Sequence, residues 1–117
     1  MAYESREGHS VALGQGGSAY TTASSDAIKP PTDTVFVAIT MLEDTVFDSS
    51  AGLVASIPTR YINTETAAND LAASSETSDQ GSGGIVVDTV SFPQGVTIYG
   101  RWTEIDVTSG SIIAYIG

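Results

Sequence analysis

With 117 residues the chain has room for one domain and a modest core, and its 14 acidic against 4 basic side chains give a formal net charge of −10, which argues against partners held by phosphate neutralisation, nucleic acid and anionic membrane alike. Cysteine is absent, so neither a disulfide framework nor a thiolate metal site exists. Thr, Ser, Val, Ile and Gly outweigh the long-chain helix formers, which predicts an all-β domain; the N-terminal "MAYESREGHS" lacks an apolar stretch of signal-peptide length, no run approaches the roughly 18 apolar residues of a membrane span, and a non-secreted product is the simplest expectation.

Residues 1–32 hold few large apolar side chains and close on Pro30-Pro31, so an extended N-terminal arm is expected there, stiffened where it joins a β-domain over 33–117. From Asp33 the character changes. "TVFVAITMLEDTVF" puts Val35, Val37, Ile39 and Met41 on one face of a strand and Phe36, Ala38 and Leu42 on the other, and a strand apolar on both faces is covered on both. "AGLVASIPTRYI" fits one or two short strands, with Pro58 marking an edge or a bend. Residues 63–84 form a long polar loop ending in a Gly-Ser run, in which Ala67, Ala68, Leu71 and Ala72 allow one short helix. Strand character returns at "GIVVDTVSF", and Pro93-Gln94-Gly95 turns the chain into its last segment.

In that segment Val96, Ile98 and Trp102 share one parity and Ile105 and Val107 the other. The phase slips by one residue, which predicts a β-bulge between Gly100 and Thr103 that keeps one face apolar. Thr108-Ser109-Gly110 is expected to make a tight hairpin, with Gly110 at positive φ and "SIIAYIG" pairing back on the preceding strand. A terminus this apolar belongs either inside a sheet or under a neighbouring subunit.

Residues able to carry chemistry are few. His9 has no nucleophile pattern around it and reads as a surface histidine, and the glycines of "LGQGGS" lack the lysine and the strand-to-helix frame of a phosphate loop. Glu43, Asp44 and Asp48 match no calcium loop and read as a solvated turn; Glu104 and Asp106 alternate with Ile105 as the wet face of a strand, with Arg101 near enough in sequence to pair with Glu104. No catalytic site, metal or cofactor is expected.

"AITMLEDTVFDS" and "FPQGVTIYGRWTEIDVTSGSIIAYIG", about a third of the chain, resemble small virion structural proteins of tailed bacteriophages, of the capsid decoration (cement) or head-fibre-like type. The elements that carry the resemblance are Glu43 to Phe47, Pro93 to Thr103 and Ser109 to Tyr115. It implies a compact β-sandwich or jelly-roll-like domain, assembled as a homo-oligomer, commonly a trimer. Such a protein is made in the host cytoplasm and resides on the outer capsid surface, where an N-terminal segment binds the major capsid protein. Capsid contacts are then expected from the arm's larger side chains, Tyr3, Val11, Leu13, Tyr20 and Ile28. Trp102, Ile112, Ile113, Tyr115 and Ile116 are expected to form the core or oligomer strand. The alternative is a fibre or tail module that binds a host receptor or glycan through the 63–84 loop, Tyr61 and Trp102.

Overall fold

The computed structural model describes residues 16–58, 60–65 and 85–117. Among them the chain is all-β: β1 (Ser18–Thr22), β2 (Phe36–Met41), β3 (Val46–Phe47), β4 (Leu53–Ala55), β5 (Thr97–Ile105), β6 (Val107–Ser109) and β7 (Ser111–Ile116). Five strands make one antiparallel sheet in the order β1-β7-β2-β5-β4, and β3 and β6 pair in a second, two-stranded sheet.

The centre of the large sheet is its most apolar part. β2 lies between β7 and β5, and Phe36, Ile39 and Met41 are buried with Ile112 and Ala114 of β7 and Trp102 and Ile105 of β5. Strict alternation separates Phe36 from Ile39 and Met41, yet all three join one core. The reason is a shift of register between Phe36 and Ala38 against both neighbours, which turns Phe36 to the inner side. The expected slip in β5 is present: Val54 pairs with Glu104 and Ala55 with Trp102, so Thr103 is the extra residue, and Trp102 and Ile105 both face inward despite their opposite parity.

The apolar terminus sits inside a sheet. β7 is flanked by β1 on one side and β2 on the other, which accounts for Ile112 and Ala114, both wholly buried. Three expectations need correction, the first being the strand expected at "GIVVDTVSF": residues 85–92 form no strand, only an isolated bridge of Phe92 with Thr45. Residues 18–22 are placed by the sequence in an arm outside the domain, whereas they form β1, paired with β7 from Ser18↔Tyr115 to Thr22↔Ser111; "SAYTT" turns only Ala19 and Thr21 inward, too little apolar periodicity to announce a strand. Ile28, from the same stretch, bridges Ile105 and packs against the core. The hairpin at Gly110 is also not formed: β6 pairs with β3, β7 with β1 and β2, so the turn carries the chain from the small sheet into the large one. Gly110 does take positive φ, at 93°.

The start of the polar loop belongs to the interior. Asn63 and Thr64 are buried; Thr64 donates its N–H to the Leu53 carbonyl at 2.9 Å and accepts the Leu53 N–H on Oγ1 at 3.1 Å, closing the outer edge of β4. The short helix expected over Ala67 to Ala72 lies outside the described residues.

Candidate interaction surface

Strand periodicity gives the large sheet two unlike faces. The inner one holds the core. On the outer one the register aligns Ser18, Tyr115, Ala38 and Tyr99 in one row and Tyr20, Ile113, Thr40 and Thr97 in the next. No residue of either row is charged, in a chain of net charge −10. Tyr20 is 61% exposed and Tyr99 72%, while Ala38 between Tyr115 and Tyr99 is buried. Thr40 and Thr97 join their hydroxyls at 2.9 Å, which satisfies two polar groups within the face itself. The outcome is an uncharged patch of two rows with exposed tyrosines, bordered on β5 by the exposed Arg101 and suited to contact with another broad surface more than to enclosure of a small molecule.

A second convergence involves the three segments that carry the resemblance. The Ser111 hydroxyl donates to Glu43 Oε2 at 2.7 Å, and the Gln94 N–H donates to Asp44 Oδ1 at 2.9 Å. Thr45 and Phe92 exchange both backbone hydrogen bonds at 2.8 Å, and the rings of Phe47 and Phe92 meet edge to face with centroids 5.5 Å apart. Gly110 lies so close to the Asp44 carbonyl and Thr45 that a Cβ there has no room. Residues 43–47, 92–94 and 109–111 thus interlock at one place.

The carboxylates with potential for chemistry are largely engaged in this scaffold. Glu43 and Asp44 hold the contacts just described, Asp48 Oδ1 accepts the Ser50 N–H at 2.9 Å, and Glu104 stands 3.9 Å from Lys29 Nζ in a partly exposed pair worth little. Among the described residues no group of three or more His, Asp or Glu is gathered as a metal would require, and these residues enclose no pocket.

Tyr3, Val11 and Leu13 lie outside the described residues. Tyr20 stands on the outer face of β1, whereas Ile28 packs inward and is half-buried. Trp102 and Ile112 are fully buried; Ile113 and Tyr115 belong to the outer face, and Ile116 packs against the core while half-exposed. Trp102 donates Nε1–H to the Ile62 carbonyl at 2.8 Å and its six-membered ring covers Gly100, so it has no surface to offer a glycan. Sequence reasoning passed over Tyr99. Its only signal was its parity, opposite to Ile98 and Trp102, and that says outward without saying exposed.

Comparison with known proteins gives no match: no protein-family model, no curated protein and no solved structure matches this chain.

Proposed function

We propose that the protein is a phage capsid decoration protein, which binds the outer surface of the major capsid protein lattice as a homo-oligomer and stabilises the head. The observation that carries this reading is the interlocking of Glu43 to Phe47, Pro93-Gln94 and Ser109 to Ser111. The resemblance rests on one segment near residue 45 and two near the end of the sequence, and their mutual contacts bring them to one place in the fold. The two uncharged rows of the outer face support the reading too, because a neutral patch meets a protein lattice without desolvating charges. Many weak contacts, repeated over a lattice, add up through effective concentration. The acidic remainder would keep coated particles from adhering to nucleic acid and to one another.

The test is co-sedimentation of the purified protein with capsids stripped of it, followed by quantification of bound copies. Saturation in proportion to the number of capsid subunits is the expected result. Failure to co-sediment, or occupancy limited to the few copies of a tail or fibre tip, sinks the reading. The second reading, a receptor- or glycan-binding module, is favoured by the exposure of Tyr20 and Tyr99 on one face, and it now has to use these tyrosines in place of the buried Trp102. Glycan binding lost in Tyr99→Ala would select it.

A further inference from the structure

The two edges of the large sheet are treated differently. β4 is closed by Thr64 of its own chain, but no described residue pairs with the far side of β1. The backbone directions follow from two bonds at the ends of this ladder: Ile116 N–H donates to the Gly17 carbonyl at 2.8 Å and Ala23 N–H to the Gly110 carbonyl at 3.2 Å. Odd-numbered residues of β1 therefore bond to β7, and Ser18, Tyr20 and Thr22 direct their N–H and C=O groups outward. Only the Thr22 carbonyl has a described partner there, the Ser25 N–H at 3.1 Å. An open edge is ordinarily blunted by charge, proline or a bulge. β1 has none of these: its register with β7 is unbroken, and residues 16–25, "GGSAYTTASS", contain no charged side chain and no proline.

We propose that this edge pairs with β1 of a second copy, antiparallel, about a two-fold axis beside Tyr20. The strand suits itself as a partner. With Tyr20 opposite Tyr20, Ser18 falls opposite Thr22, and the outward-directed residues face one another in hydrogen-bonded register, the Thr22 carbonyl sharing its two lone pairs between the partner's Ser18 N–H and its own Ser25 N–H. Tyrosine facing tyrosine and serine facing threonine are favourable cross-strand neighbours, and all of them lie on the outer face. Charge points the same way. Two chains of net charge −10 repel, and the uncharged 16–25 edge lets backbones meet with no charged side chain between them. Pairing also gives β1 a second source of stability beyond its own core contacts, which are slight: Ala19 is small, and the Thr21 hydroxyl is buried without a hydrogen-bond partner. The two copies then share one continuous sheet, and their aromatic outer faces join. Such pairing requires no capsid.

The 117-residue chain lacks cysteine, so single cysteines report the register cleanly. Residues opposite each other in a hydrogen-bonded pair have Cα atoms about 5.5 Å apart, within disulfide reach, whereas the two copies of Ser18 would be separated by roughly 13 Å. Light scattering should give twice the 12.1 kDa chain mass at micromolar concentration. Mild oxidation should cross-link Tyr20→Cys and leave Ser18→Cys uncoupled. Tyr20→Pro removes an N–H that the β7 ladder does not use, and Tyr20→Lys places a charge at the axis; either should yield a monomer with an unchanged circular dichroism spectrum. A wild-type monomer overturns the proposal, whether the edge is free or covered by residues 1–15. So does a dimer or trimer in which Tyr20→Cys fails to cross-link, or one that survives both Tyr20→Pro and Tyr20→Lys.

Discussion

Gly110 and Gly95 show how one residue type meets two different demands. Both have positive φ, 93° and 91°, and a side chain on either is strained by its backbone alone. Gly95 has open space where a Cβ would go, but at Gly110 the same atom collides with the Asp44 carbonyl and with Thr45. Gly95→Ala should therefore cost only the conformational term, about 1–2 kcal/mol. Gly110→Ala must also push apart the junction of three segments, and about twice that loss or more is expected. Urea unfolding midpoints of the two variants decide it; equal shifts would mean that the 43–45 turn yields freely. Gly100 follows a third logic, since a Cβ there meets the Trp102 ring at 2.7 Å, so the glycine makes the space that the buried indole fills.

Among elements, β1 and β7 depend on each other. β7 is apolar because it is interior, and it is interior only while β1 covers its edge. A truncated chain lacking residues 1–15 keeps all seven strands, whereas one lacking residues 1–22 loses β1 and leaves the β7 backbone from Ser111 to Tyr115 unpaired on that side. The shorter deletion is expected to melt cooperatively near the intact protein. The longer one should lose about 10 °C or more in Tm, 1 kcal/mol being worth roughly 4–8 °C in a domain of this size, and should aggregate through the new edge. Scanning calorimetry of both makes the comparison. Matching melts would show β1 to be dispensable, and with it the cover it gives β7.

At the scale of the whole molecule, the balance of 14 acidic to 4 basic residues sets the response to salt. Self-repulsion opposes both the compact state and the approach of a second copy, and its reach shrinks from about 30 Å at 0.01 M ionic strength to about 8 Å at 0.15 M. Added NaCl over that range should raise Tm by a few degrees and strengthen self-association. Weaker association in salt, followed by light scattering, would instead mean that charge pairs hold the copies together, contrary to an uncharged β1 edge.

Sequence alone determined what depends on neighbours along the chain. Composition specified an all-β protein, the parity change between Trp102 and Ile105 placed a bulge within Gly100 to Thr103, where the structure has it at Thr103, and a glycine after Thr108-Ser109 marked positive φ at Gly110. These features follow from side-chain alternation and local sterics, which a strand carries wherever it is placed. Strand pairing was decided by tertiary structure. The turn at Gly110 is the same whether the chain folds back or crosses to another sheet, and the pairing of β6 with β3 and of β7 with β1 and β2, together with the contacts of Asp44, Thr45 and Glu43 at the turn, selects the crossing. "SAYTT" became a strand because β7 supplied an edge for its backbone, a demand written in other residues, and Asn63 and Thr64 are buried because β4 needed closing. The outer face likewise exists only through register. Tyr20, Ile113, Tyr115 and Tyr99 come from three strands at opposite ends of the chain, and nothing in their spacing foretells that they lie on one surface.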